Sequence, residues 1–378
     1  MSGGTLICTG NFELPDKNAA AHRVVNNAKL LKNLGFNTVF LGACRSERYF
    51  KGYVKRDYGV GFDIYEQSYP FSVRQWANQM FDIGNLQSLA RQYPDTAAVI
   101  LYNTTYASLL AAKKAFSPQG IRVIYDCTEW NGYTEGNIIK RVVKKLDAGL
   151  IESGLERHCD GVIAVSRTMR KRYEAKAPVL LLPPLVDTRE ELWRQEPIEG
   201  KRFPFCYAGS PSDKDRLDLL LEAFSRLPKD KAELRIIGLT GEEYSASQGD
   251  EGGFVAPENI SFFGRLSHRE TIREILSCGC FVFLREPTKR NSAGFPTKFV
   301  EAYTCGVPII TTAVSDVSYY KDGSCVVLDE ASPDRIAEAM SAILAQPTSS
   351  RKIREAFDFR NYEDSCRKWL ERTVCRTD

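Results

Sequence analysis

The sequence has little that would tie it to a metal, a spanning membrane segment or a nucleic acid. It holds only three histidines, His22, His158 and His268, and its eleven cysteines include no Cys-x-x-Cys pair. A zinc site needs clustered thiolate and imidazole ligands, and none is suggested here. Most of the cysteines lie in apolar runs such as TLICTG and FPFCYAG. There a free thiol behaves as a small core side chain, and a reducing, cytosolic compartment is expected. No apolar run reaches the roughly eighteen residues of a spanning helix. The opening MSGGTLICTG has neither a basic stretch nor a long apolar core, so no signal peptide is expected. Net charge is only +3 over 378 residues, too weak a field to argue for nucleic acid. Internal repeats and low-complexity tracts are missing as well.

What remains is a soluble globular composition, 43% hydrophobic and 26% charged, in a chain long enough for two cores. Short β-branched runs alternate with amphipathic stretches, the pattern of parallel α/β sheets. Strands are expected at 5–10, 37–42, 97–103, 122–127, 161–166 and 179–184, with a helix over 19–34. A polar, proline-bounded stretch at 183–204 reads as a linker. The alternation then restarts, with strands at 203–209, 232–238, 260–264, 280–284, 307–312 and 325–328. Helices are expected near 214–226, 268–277, 297–305, 333–345, 350–357 and 362–373, and residues 239–259 read as a surface loop. Two Rossmann-like domains follow, 1–186 and 187–359. Such sheets bind ligands at the carboxyl ends of their strands, so two facing one another would form an interdomain cleft.

The most informative segment is RNSAGFPTKFVEAYTCGVPIITT, residues 290–312. The turn Gly294-Phe295-Pro296-Thr297 enters a helix whose first amides are free to hold an anion. Lys298 adds a cation in that turn, and Glu301 follows one turn later. Phosphate on the amides and a hydroxyl on the carboxylate would describe a nucleoside diphosphate with its ribose. The same spacing also fits an amphipathic helix with a solvated glutamate at its edge.

This segment resembles the carboxy-terminal signature of the family-4 retaining glycosyltransferases, of the type found in bacterial surface polysaccharide biosynthesis. The resemblance implies the GT-B fold, in which a nucleotide diphosphate sugar donates to a hydroxyl of a glycan or lipid-linked acceptor without a metal or other cofactor. The VEAYTCGVPIITT part matches closely and gives Glu301 the ribose contact. The family's first glutamate, which contacts the transferred sugar, falls on Ala293. FCYAGSPSDKDRLDLLLEAF, residues 205–224, resembles the start of the family's second domain. By that likeness Gly209 and Ser210 form the turn, and Lys214 neutralises the leaving diphosphate. Ser210 stands where many members have an arginine, and Arg265 could supply charge instead or be an ordinary surface arginine. SDKD reads as a helix N-cap, with no metal implied.

Residues 8–42 resemble the family's opening strand, glycine loop and first helix, with Gly10 allowing close backbone approach to a ligand. In YDCTEWNGY, residues 125–133, Asp126, Glu129 and Trp130 are expected at a strand end facing the cleft, or else at a capped helix start. Asp126 and Glu129 would act as orienting groups rather than bases, and Ser166 has an architectural role. The tail, about 360–378, is expected to cross back onto the first domain, as in the family. Residues 137–150, NIIKRVVKKLDAGL, mix apolar and basic side chains. They form either a helix on its sheet with a solvated basic face, or a peripheral contact with the inner face of the plasma membrane. Two alternatives to transfer stay open: a nucleotide-sugar epimerase on the same fold, and a non-catalytic nucleotide-sugar-binding protein.

Overall fold

The computed structural model describes residues 3–46, 48–130, 138–198, 200–209, 215–247, 256–347 and 351–375. The chain divides into two compact units. The first comprises Met1–Val186, Ala293–Phe295 and Asp358–Asp378, and the second Asp187–Ser292 and Pro296–Phe357.

The first unit opens with β1 (Thr5–Gly10), α1 (Ala19–Asn33), β2 (Asn37–Cys44), β3 (Tyr53–Arg56) and β4 (Asp63–Ser68). It continues through α2 (Val73–Phe81), α3 (Gly84–Gln92), β5 (Thr96–Tyr102), α4 (Tyr106–Phe116) and β6 (Arg122–Cys127). It then runs through α5 (Ile138–Gly154), β7 (Gly161–Ala164), α6 (Arg167–Tyr173) and β8 (Val179–Leu181). The eight strands form one sheet in the order β3-β4-β2-β1-β5-β6-β7-β8, parallel except for the β3–β4 pair. The central strands are buried on both faces, which is why they read as continuous apolar runs.

The second unit holds β9 (Phe203–Ala208), α7 (Leu217–Phe224), β10 (Ala232–Ile237), α8 (Gly241–Ser247) and β11 (Ile260–Phe262). After these come α9 (His268–Ser277), β12 (Cys280–Phe283), α10 (Lys289–Ala293) and α11 (Thr297–Thr304). The last elements of this unit are β13 (Ile309–Thr312), β14 (Cys325–Leu328) and α12 (Pro333–Ala345). Its six strands lie in the order β11-β10-β9-β12-β13-β14, every pair parallel. The final helix, α13 (Glu363–Thr373), belongs to the first unit. There Cys366, Trp369 and Leu370 enter the same core as Leu6, Leu30 and Ile163. The Trp369 indole donates to the Pro178 carbonyl at 3.1 Å.

Three expectations need correction. Strands β3 and β4 went unseen, because YVKR and DIYEQS are polar and one carries a buried charge. Glu66 is buried in β4, where the Tyr58 hydroxyl donates to it at 2.9 Å and Arg56 pairs with it at 3.2 Å. The expected loop at 239–259 contains α8, started by a reciprocal cap. Thr240 N–H donates to Glu243 Oε2 at 2.9 Å, and Glu243 N–H donates to Thr240 Oγ1 at 3.1 Å.

The expected helix at 350–357 is not formed over the described residues 351–355, which make an irregular strap. Its Arg354 N–H donates to the Thr304 carbonyl at 3.0 Å, and its guanidinium sits 4.7 Å from the Tyr303 ring. A cation and a donor at the carboxyl end of α11 satisfy carbonyls that the helix itself leaves open. That tertiary gain outweighs the local helical preference.

Candidate functional site

The second unit brings three glycines to the carboxyl ends of its strands. Gly209 follows β9, Gly238 follows β10 and Gly264 follows β11. Gly238 has a φ of +115°, and a Cβ there would lie 1.9 Å from the Gly209 carbonyl oxygen. Only glycine fits, so two turns can press together at this edge. Beside them, Arg285 leaves β12 and its Nε donates to Asp215 at 2.9 Å, while Tyr207 Oη donates to the same carboxylate at 3.0 Å. Arg285 N–H donates to Thr312 Oγ1 at 3.0 Å, which ties the ends of β12 and β13.

Helix α11 begins at Thr297 after Pro296, with no side chain capping its first turn. The amides of Thr297, Lys298 and Phe299 precede the first ladder bond, Val300 N–H to Pro296 O at 3.4 Å. An anion is the natural complement of such a turn. Lys298 Nζ lies 2.8 Å from Glu301 Oε2, and His268 Nε2 lies 3.5 Å from Glu301 Oε1. Burial alone would push the Glu301 carboxyl up, but Lys298 and His268 outweigh it and hold it at about 2. The carboxylate is therefore ionised at neutral pH, buried, and flanked by two donors.

His268 was not singled out by sequence reasoning. The signal was present in the run Ser267-His-Arg-Glu270, a capping box that starts α9. It places His268 in the first turn of the helix that packs on α11. Arg265 is exposed, one residue beyond Gly264. Ser210 and Lys214 lie outside the described residues.

In the first unit the expected residues separate. Asp126 ends β6 but is buried, not open to a ligand. Arg23 grips it through Nη2 at 2.7 Å and Nε at 3.1 Å, and Asn27 Nδ2 donates to it at 3.3 Å. Arg23 Nη1 also donates to the Leu182 carbonyl at 3.0 Å. The pair thus staples α1 to β6 and to the exit of β8. This corrects the expected orientation: the carboxylate serves the core. Gly10 is needed against its own sheet, since a Cβ there would meet the Tyr102 carbonyl at 2.5 Å.

Glu129 and Trp130 line a cavity of about 330 Å³ with Arg45, Trp76, Tyr102 and Lys144. The Trp130 indole donates to Tyr173 Oη at 3.0 Å. Burial raises the Asp147 carboxyl at the same cavity, although it accepts from Tyr106 N–H at 2.8 Å. Ser166 is fully buried, caps α6, and donates to the Ala293 carbonyl at 2.6 Å. Gly294 and Phe295 follow Ala293 within the first unit. Among the described residues, no group of three or more His, Cys, Asp and Glu side chains is placed to hold a metal.

Residues 188–358 match the family described as glycosyl transferases group 1. No curated protein matches the sequence. Among solved structures, sucrose-phosphate synthase from Thermosynechococcus elongatus superposes with a TM-score of 0.67 at 12% identity, covering 98% of this chain and 95% of that one. HepE from Anabaena in complex with UDP-glucose gives 0.60 at 12% identity, over 97% and 99% of the two chains. The catalytic domain of starch synthase IV from Arabidopsis thaliana, bound to ADP and acarbose, gives 0.65 at 11% identity over 100% of both. At these identities the likeness is one of fold, and the fold is GT-B, with two Rossmann-like domains.

Proposed function

We propose that the chain transfers a sugar, with retention of configuration and without a metal, from a nucleoside diphosphate sugar to a hydroxyl of a glycan or lipid-linked acceptor. One observation carries this reading: the uncapped first turn of α11, with Lys298 inside it and an ionised Glu301 one turn on. That arrangement suits a diphosphate and its ribose, and it falls within the 188–358 match. Two structures of the same fold carry UDP-glucose and ADP, by their own descriptions, which supports a nucleotide sugar as the donor.

In this reading the α11 amides and Lys298 hold the diphosphate, joined by Lys214 and Arg265, while Glu301 accepts from the ribose hydroxyls. The bond from the anomeric carbon to the β-phosphate oxygen breaks as the acceptor oxygen bonds to the same face. The acceptor proton passes to the departing phosphate, so no dedicated base is required. All eleven cysteines are free thiols, which fits a cytosolic setting. The test is release of nucleoside diphosphate from UDP-, ADP- and GDP-sugars in the presence of glycan and lipid-linked acceptors. Tight binding of a nucleotide sugar without any turnover would leave the non-catalytic reading standing instead. The residue that favours this second reading is Ala293, which offers no carboxylate to the sugar.

A further inference from the structure

Helix α5 turns part of its apolar side outward. Val142, Leu146 and Leu150 recur every fourth residue, so they form one stripe, and they are 52%, 64% and 49% exposed. Asp147, Ala148 and Ile151 turn away from the stripe and line the cavity, and Val143, at the edge of the stripe beside Leu150, lines it too. The stripe is therefore not the face by which α5 packs on its own unit.

Its neighbours continue it. Tyr106 N–H donates to Asp147 at 2.8 Å and joins the start of α4 to α5. One turn along α4, Leu110 is exposed, and Lys114 is exposed a turn later. Ser108 Oγ donates to the Met80 carbonyl at 2.9 Å and joins α4 to the end of α2, where Phe81 is 67% exposed. Five large apolar side chains are thus exposed on three helices joined by these bonds, three of them in one stripe on α5, and exposed apolar patches mark interaction sites.

The charges identify what covers it. Lys145 is exposed three residues from Val142 and so flanks the stripe, Arg141 is exposed one turn before Lys145, and Lys114 lies one turn from Leu110 on α4. Nearby acids are fewer or occupied elsewhere. Asp82 accepts from Gly84 N–H at 2.8 Å, Asp147 lines the cavity, and Glu152 is half-buried. Burial of this stripe in a protein interface would strand the cations in an apolar contact. An anionic headgroup layer lets them reach outward to phosphate while the aliphatic tips enter the acyl boundary.

We propose that the outer face of α2, α4 and α5 docks on an anionic lipid surface. Docking itself does not depend on the reaction proposed above. Joined to that reading, it selects the lipid-linked acceptor over the soluble glycan.

The test is sedimentation of the full chain with vesicles of phosphatidylcholine, alone or mixed with phosphatidylglycerol. Binding is expected only to the mixed vesicles and should weaken as salt is raised. Removal of Arg141 or Lys145 as serine should weaken it about fivefold each. Leu146→Glu should weaken it roughly ten- to a hundredfold while leaving thermal unfolding nearly unchanged, since Leu146 is 64% exposed. Failure of the wild type to bind mixed vesicles, or full binding by Leu146→Glu, overturns the proposal. So does a concentration-dependent dimer in light scattering that Leu146→Glu dissolves, with no vesicle binding. Nucleotide release measured on the same samples separates the two ideas, because vesicle binding without any transfer sinks only the reaction.

Discussion

Replacing Glu301 by alanine removes a carboxylate set apart by three features: it is buried, Lys298 and His268 hold it well below the usual carboxylate range, and it lies one turn beyond a helix start with no side-chain cap. If it accepts from a ribose hydroxyl, the loss is that of a hydrogen bond to a charged group, about 1.5–3 kcal/mol. That is roughly a ten- to 150-fold weaker affinity. Glu301→Gln keeps an acceptor and gives up the charge, so it should fall between the two. Calorimetry with UDP and ADP reads both effects directly. If Glu301→Ala binds both nucleotides as tightly as the wild type, with its fold intact, the carboxylate is not part of a nucleotide site.

The same substitution carries a stability signature with a definite pH window. The carboxyl is held at about 2 against an ordinary 4.5, a depression worth on the order of 3 kcal/mol. A depressed carboxyl stabilises the fold fully above its ordinary value, and that contribution is lost as pH falls from 4.5 towards 2. For a domain of this size the loss at neutral pH amounts to roughly 6–12 °C in Tm. The gap between wild type and Glu301→Ala should therefore close across that acid range. A gap that persists undiminished at pH 2 would show that Lys298 and His268 do not hold the carboxylate.

Asp126→Asn breaks the buried grip of Arg23 and should cost about 3–5 kcal/mol in urea unfolding, whereas a change confined to kcat at full stability would restore a direct role. Gly238→Ala forces a methyl against the Gly209 carbonyl at a positive φ. It should destabilise the second unit by about 1–3 kcal/mol from the positive φ alone, and near-wild-type melting would contradict the close approach of the two turns. Trp369→Ala empties a core position of the first unit at a cost of about 3–5 kcal/mol, visible as a lower urea midpoint; no shift would mean that α13 is not docked. Ala293→Glu buries a carboxylate at a fully enclosed position. It should lower Tm and leave donor affinity no better, and improved affinity would show that the site accepts the missing group.

Legibility followed burial. Strands covered on both faces, such as ICT in β1 or VIL in β5, announce themselves as apolar runs, and their bounds lie within a residue or two of those expected. Strand β4 does not, because Glu66 is inside and its partners Arg56 and Tyr58 come from β3 and the turn after it. Strap residues 351–355 depart from their local helical pattern for the same kind of reason: Arg354 answers to α11, far away in sequence. Within the candidate site, Lys298 and Glu301 share a helix and could be paired from their spacing. His268 comes from another helix, and no local pattern ties it to Glu301. Asp126 is the opposite case, a strand-end carboxylate whose sequence setting looked open while Arg23, in α1, closes it.

Ala293 shows how a departure from a pattern can be structural rather than a simple loss. Its side chain is fully buried and its carbonyl accepts the Ser166 hydroxyl, the same hydroxyl that caps α6. A long carboxylate side chain here would have to leave that enclosure or be buried unpaired, and either change disturbs the cap. The backbone at this position is therefore committed to holding α6 and the 293–295 segment together. Under the proposed reaction, recognition of the sugar must then fall to groups other than residue 293. Lys298 and Glu301 are already engaged with each other and suit the nucleotide end. Position 293 is thus committed to architecture, and under the proposed reaction only the helix beyond it, with Lys298 and Glu301, is left to meet the donor.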